Sequence, residues 1–436
     1  MIAKSSSEPC PSDRVIFTKE QTRFAFQPSF WPQLSDDLEH ESYSSAGRIY
    51  LSDPSVSSTE IYFPHNQLIE FLSRKDIQSC IDDIYSYRSK LGDLRVIDSI
   101  RDFHFARYGQ RIKRGNVLQT IGATNAIDLA ISVIMKSGDC ILIPTPSYFI
   151  FHNAAYSRGF DYEILYCNEE HRFTPTKEGI EQNILPNTRV VGIVQPVFPT
   201  GHRIDEIELI KIIDFLAAKG IFIVLDMVYD LLTFDNGKVI CTDSNLGTCF
   251  ERNSEFLMQI NSFSKTWSAP GLRFGYLMAS EEIIKKAAVR LVSTVGRCPV
   301  ILAPLYSSLM RGTTQMVANA DSAFRSILTR NMKEYQNRVS ELASLVSGSG
   351  LEILESDAGF NVFVKLTNVP NDPEKQWEFA ERLYNDLKVM IDYGSLFGVP
   401  HHPNVPTYIR VNLGIAKDRL LAGISRLASF HLGYRP

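Results

Sequence analysis

The sequence predicts an α/β fold: a mostly parallel sheet with helices on both faces, followed by a smaller α+β unit. Three observations lead there. Short apolar, β-branched runs such as Ile221–Leu225 have the pattern of strands buried on both faces. Between them lie longer runs whose apolar residues recur at helical spacing. From about residue 95 strand and helix alternate, the rhythm of parallel strands joined by crossover helices.

The elements follow in order. Leu94–Tyr108 is amphipathic at helical spacing, and Val117–Thr120 is a short strand. Asn125–Lys136 is a helix stopped by Ser137-Gly138-Asp139. Cys140–Ile143 and Arg189–Val194 are apolar strands. Ile204–Lys219 is a helix closed by Gly220. Ile221–Leu225 is a strand that runs into Asp226, and Phe256–Ile260 and Phe274–Ala279 are two more. A long helix over Gln315–Ser347 leads to the second unit, whose strands are Leu351–Leu354, Asn361–Lys365 and Tyr408–Leu413. The division expected is an N-terminal arm at 1–45, a large domain at 46–314 and a small domain at 315–436, with residues 46–60 contributing to the small one. The arm is rich in Ser, Pro and aromatics (Phe24, Phe26, Phe30, Trp31) and packs on another surface; Met1–Asp13 reads equally as a disordered tail.

Composition narrows the function. The 436 residues carry a net charge of −4, with 44% hydrophobic and 22% charged residues, the profile of a globular enzyme. The mild acidity gives no reason to expect nucleic acid or an anionic membrane as partner. No apolar run approaches the roughly 18 residues of a membrane span, and the polar start Met1–Arg14 has no secretory h-region. Seven cysteines, an odd number with no C-x-x-C pair, point to reduced thiols and a cytoplasmic location. His401-His402 lacks a third metal ligand, so no metal is expected.

Several segments carry chemistry. The strongest is Ser262-Phe263-Ser264-Lys265-Thr266-Trp267-Ser268-Ala269-Pro270-Gly271-Leu272-Arg273-Phe274-Gly275-Tyr276. Upstream by 265 − 226 = 39 residues stands Leu225-Asp226-Met227-Val228-Tyr229, directly after an apolar strand. Alone it is weak, since a strand-end Asp often caps a helix. Gly122-Ala123-Thr124-Asn125-Ala126 joins a strand to a helix, where backbone N–H groups bind phosphate well. Further segments are Pro144-Thr145-Pro146-Ser147-Tyr148, Tyr408-Ile409-Arg410-Val411-Asn412-Leu413, and Tyr85-Ser86-Tyr87 through Leu94-Arg95.

In this order and spacing, over roughly residues 45–415, the segments closely resemble the class I/II aminotransferases and their relatives, the fold-type-I enzymes that use pyridoxal 5′-phosphate (PLP). The resemblance implies a seven-stranded sheet in the large domain and a homodimer with shared active sites. Lys265 would form a Schiff base with the cofactor aldehyde and shuttle protons. Asp226 would pair with the pyridine nitrogen and keep the ring an electron sink, and Tyr229 would bond the ring hydroxyl. Ala123, Thr124, Ser262, Ser264 and Arg273 would hold the phosphate, the arginine by bidentate bonds. Tyr148 would stack on the ring. Arg410 would grip the α-carboxylate of an amino-acid substrate. Tyr85, or Tyr87, would reach the phosphate of the neighbouring subunit.

Three departures stand out. Where the family carries N-P-x-N-P-T-G, this chain has Gln195-Pro196-Val197-Phe198-Pro199-Thr200-Gly201, so Phe198 replaces an asparagine that bonds ring hydroxyl and substrate carboxylate. Ser52 replaces a glycine facing the substrate, and Lys90 replaces the glycine of the Tyr…Gly…Leu-Arg segment. The expectation is an intact cofactor site with an altered substrate shell. Aminotransfer is the leading reading. The alternative is β- or γ-elimination, replacement or ring closure on a functionalised amino acid such as a hydroxylated arginine. An amine oxidase or decarboxylase ranks lower. A PLP-fold transcription regulator is disfavoured by the short arm and the lack of a basic cluster. A non-catalytic scaffold is disfavoured because Lys265, Asp226 and Arg273 are all present.

Overall fold

The computed structural model describes residues 48–53, 89–233 and 244–434, with scattered positions between 60 and 87. The N-terminal arm lies outside the described residues. A two-residue strand, β1 (Ile49–Tyr50), comes first. The main sheet follows: β2 (Val117–Thr120), β3 (Cys140–Thr145), β4 (Asp161–Tyr166), β5 (Thr188–Val194), β6 (Phe222–Asp226), β7 (Leu257–Ser262) and β8 (Gly275–Met278). Its order is β2-β8-β7-β6-β5-β3-β4. Only β8 runs against its neighbours β2 and β7; the other pairs are parallel.

The central strands are apolar throughout because both faces are covered. Successive side chains point to opposite faces. Ile141, Ile143, Val190, Val224 and Ile260 join the core beneath the helix Ala123–Ile134. Leu142, Val191, Ile193, Ile223 and Leu225 meet Leu209, Ile212, Ile213 and Leu216 of the helix Glu206–Ala218. Asp205 caps that second helix, its carboxylate accepting the N–H groups of Ile207 and Glu208. The strand of this sheet missing from the sequence reading is β4, an edge strand whose Asp161 and Glu163 are exposed.

The expected single helix over Gln315–Ser347 is two helices, Ala303–Ala318 and Ala323–Leu345. Asn319-Ala320-Asp321-Ser322 breaks it. The Ser322 hydroxyl accepts the N–H of Arg325 as a new N-cap, and Asn319 Oδ1 accepts the N–H of Asp321. The Arg325 guanidinium closes the first helix by donating to the carbonyls of Met316 and Val317.

The second unit holds β9 (Leu351–Ile353), β10 (Asn361–Leu366), β11 (Val389–Met390), β12 (Asp392–Tyr393) and β13 (Thr407–Asn412). Four of these form an antiparallel sheet in the order β12-β13-β10-β9, while β11 pairs in parallel with β1. The loop before β10 docks on the main sheet: Asp357 N–H donates to Gly201 O at 3.1 Å, and Gly359 N–H to Leu232 O at 2.6 Å. That contact sets the small sheet against the carboxyl ends of β5 and β6. Among the described residues, no helix is long and apolar enough to cross a membrane.

Candidate active site

Asp226 is the last residue of β6 and only 1% exposed. Its carboxylate accepts the N–H of Val228 at 3.1 Å. Burial nevertheless pushes its carboxyl up to about 7, against the opposing pull of Val228 and Lys265. On the neighbouring strand β7, Ser262 ends the strand and caps one helical turn, Phe263–Thr266. Its hydroxyl accepts the N–H of Ser264 at 3.0 Å and donates to Phe274 O at 2.6 Å. That turn presents Lys265 to the strand ends. Burial is the main force that pushes its amine down to about 8; Arg410 and Arg273 act in the same direction and Asp226 against them. The Lys265 Nζ lies 5.8 Å from the centre of the Phe360 ring. Trp267, next along, is buried and donates its indole N–H to Thr313.

The turn before the helix Ala123–Ile134 meets this segment. Gly122 is its N-cap at φ 85°, a conformation that favours glycine. A Cβ there would stand 2.9 Å from Arg273 Nη2. Arg273 is anchored by backbone alone, donating to Pro270 O at 3.0 Å and Ile121 O at 3.3 Å. On Gly275 a Cβ would lie 2.5 Å from the carbonyl carbon of Gly122. The two glycines thus let β8 and the phosphate-type turn approach closely. Thr124, in the first helical turn, shares a 3.3 Å hydrogen bond with the Tyr148 hydroxyl. The structure therefore brings Lys265, Asp226, Ser262, Ser264, Arg273, Ala123, Thr124 and Tyr148 to one end of the sheet.

The facing wall is different. Phe198 is packed edge-on to Tyr148 at 5.8 Å and to Phe397 at 5.4 Å, and stacked with Tyr229 at 5.9 Å. The Tyr229 hydroxyl is met by the Asn361 amide at 3.4 Å, so an asparagine reaches it from β10 rather than from position 198. Arg410, on β13, lies between the rings of Phe397 and Phe198, with Cζ 5.3 and 5.7 Å from their centres. Its Nη2 donates to Asp392 Oδ2 at 3.2 Å and to Ser52 O. The buried Ser52 turns its hydroxyl to the backbone, donating to Arg410 O at 2.5 Å.

Two expected positions lie outside this group. Tyr85 does not join the group within one chain; it is 85% exposed. Lys90 is exposed, and the glycine conformation of its segment falls on Gly92, at φ 115°, where a Cβ would stand 2.5 Å from the Gln119 Cβ. Sequence reasoning missed Asn361, Phe360, Phe397 and Asp392. For Asp392 a signal existed, a lone carboxylate directly after the apolar run Val389-Met390-Ile391.

Comparison with known proteins bears on the family and the fold. The family described as aminotransferase class I and II matches residues 78–427. An aromatic-amino-acid aminotransferase of Thermococcus litoralis is 25% identical over 311 residues, 71% of this chain and 75% of its own. A 1-aminocyclopropane-1-carboxylate synthase of Arabidopsis thaliana is also 25% identical, over 83% of this chain and 78% of its own. The crystal structure of an aspartate aminotransferase from Thermotoga maritima superposes with a TM-score of 0.74 at 19% identity, covering 95% of this chain and 99% of that one. Since the family match runs through the strand ends, the lysine turn and β13 alike, this chain belongs to the class I and II aminotransferases, a family of PLP-dependent enzymes.

Proposed function

We propose that the chain transfers an amino group from an amino acid, or a close derivative of one, to a 2-oxo acid, with Lys265 as the cofactor-bearing and proton-carrying residue. The observation behind this is the pairing of a buried strand-end carboxylate, Asp226, with a lysine amine held down to about 8 in the turn that follows the next strand. The residues fit PLP. Asp226 has no cationic neighbour strong enough to keep its carboxyl in the ordinary range, and a pyridine nitrogen would supply one. The glycine-lined turn, the Arg273 guanidinium and the hydroxyls of Thr124, Ser262 and Ser264 would hold its phosphate. When bound, PLP supplies an electron sink for the bonds of the amino-bearing carbon.

The protein's own part is proton handling and orientation. An amine near 8 is more often unprotonated at neutral pH than an ordinary lysine, so Lys265 Nζ serves as nucleophile and as base toward the donor's carbon. Asp226 would hold the ring nitrogen. Burial raises the Tyr229 phenol well above its ordinary value, so it stays protonated and would donate to a ring oxygen. Rings at 148, 198, 360 and 397 exclude water.

A second reading, elimination, replacement or ring closure, draws on Phe198 in the asparagine's place and on the cyclopropane-type synthase among the relatives. We also propose a homodimer with cytoplasmic location. The outward-facing Tyr85 supports a second copy across that surface. The division into residues 1–45, 46–314 and 315–436 stays a proposal too; the pairing of β1 with β11 supports a contribution of 46–60 to the smaller domain. The deciding experiment adds amino acids to the purified holoenzyme without any oxo acid. Aminotransfer gives a single-turnover loss of the cofactor's visible band, restored by an oxo acid. Product that accumulates over many turnovers without an acceptor overturns it in favour of the lyase reading.

A further inference from the structure

Arg410 is the group that the family resemblance assigns to a donor's carboxylate, yet its strongest contacts are internal. Asp392 stands directly opposite Arg410 in the antiparallel register of β12 and β13. This carboxylate is 6% exposed. The Tyr50 hydroxyl meets both of its oxygens, at 2.9 and 2.8 Å, and Arg410 Nη2 meets Oδ2 at 3.2 Å. The second proton of Nη2 goes to Ser52 O. A guanidinium grips a carboxylate by two parallel bonds, either from Nη1 with Nη2 or from Nε with Nη2. Both forks need an Nη2 proton, and both Nη2 protons are taken. Nε is buried with no hydrogen-bond partner. The rings of Phe198 and Phe397 flank the guanidinium.

We infer that Asp392 is a specificity-determining residue, which neutralises Arg410 so that the donor is an amino compound with no free carboxylate on its amino-bearing carbon: an amine, or an amino acid masked as an amide or ester. This rests on Lys265 as the cofactor lysine and on the Arg410 pocket as the place where that end of the donor lies. Three features point the same way. A free carboxylate next to Arg410 would sit against the fixed charge of Asp392, which strand pairing and the Tyr50 hydroxyl hold in place. The asparagine that would help bind such a carboxylate is Phe198. The rings that flank the Arg410 guanidinium, Phe198 and Phe397, offer the donor apolar surface and no second cation.

The test uses the holoenzyme and matched probes that differ only at that carbon: phenylalanine, phenylalaninamide and 2-phenylethylamine; tyrosine, tyrosinamide and tyramine; arginine, argininamide and agmatine. Each is titrated against the cofactor's visible absorption, which reads binding whether or not the amino group is then transferred. The amide and amine are expected to bind about tenfold or more tightly than the parent amino acid, and Asp392→Asn is expected to shrink that ratio by about tenfold by returning a net charge to Arg410. Amino acids that bind the unaltered enzyme as tightly as their amides and amines overturn the inference. So does an Asp392→Asn enzyme with an unchanged ratio. Failure of the underlying reading registers separately: Lys265→Ala would then still retain cofactor covalently after borohydride reduction.

Discussion

The two sides of the pocket hold their polar groups by different means. On the sheet side, backbone holds them: Asp226 by the Val228 N–H, Ser262 by Phe274 O, and Arg273 by the carbonyls of Ile121 and Pro270. On the facing wall, many contacts run from side chain to side chain: Arg410 to Asp392, Asp392 to Tyr50, Tyr229 to Asn361, and Phe198 to three other rings. Backbone anchors come with the fold, and a single substitution seldom removes them. Side-chain anchors can be exchanged one at a time. The wall is therefore where a family scaffold changes its substrate while its cofactor chemistry stays.

The largest effect is expected on the sheet side. Lys265→Ala should lower turnover by about 10²–10⁴-fold and abolish covalent retention of the cofactor after borohydride reduction, read by mass spectrometry. A variant that keeps the label would break the comparison at its root.

Asp226→Asn sharpens it through pH. The folded carboxyl lies near 7 and the ordinary value is 3.8. Between these values the folded state binds more protons than the unfolded one, so this group's contribution to stability falls as pH rises and stays low above 7. The asparagine does not titrate. Without cofactor, Asp226→Asn should gain stability over the parent from pH 4 to pH 8, by about 1–4 kcal/mol at the upper end. With cofactor bound the order should reverse, because a cationic ring nitrogen favours the ionised aspartate. Thermal melts at both pH values, with and without PLP, read the two signs. A cofactor-free difference that does not change with pH would show that Asp226 is not a desolvated carboxylate.

The same contrast explains what was legible in the sequence. Leu94–Tyr108 and Val117–Thr120 were read to the residue, because periodicity and flanking turns decide them locally. The lysine turn and its aspartate were legible through the resemblance of their segments to the family, and the fold sets them at the ends of the adjacent strands β7 and β6. The break at Asn319–Ser322 was missed, since apolar spacing continues through it and only the capping hydroxyl of Ser322 and the reach of Arg325 settle it. Strand β4 was missed because an edge strand needs no continuous apolar run. Asp392 and Asn361 were missed because each meets its partner across a strand pair or between the two sheets, at separations of 18 and 132 residues. Departures such as Phe198 were visible as departures, but their ring partners were not.

Phe198→Asn is the smallest change and bears on the wall alone. An asparagine there would remove the stack on Tyr229 and the ring over Arg410, and would set a new amide beside the Tyr229 hydroxyl that Asn361 already meets. It would leave Arg410 paired with Asp392. The expected result is a loss of about two- to tenfold in kcat/KM for the best donor, in line with the ~0.5–1.5 kcal/mol of an aromatic pair, and no gain for common amino acids. Restored transfer from common amino acids with native activity intact would mean that the wall's aromatic packing does not set the substrate. A gain for amino acids only when Phe198→Asn is combined with Asp392→Asn would show instead that the ring and the carboxylate act together on one guanidinium, the coupling expected of residues in direct contact with a shared group.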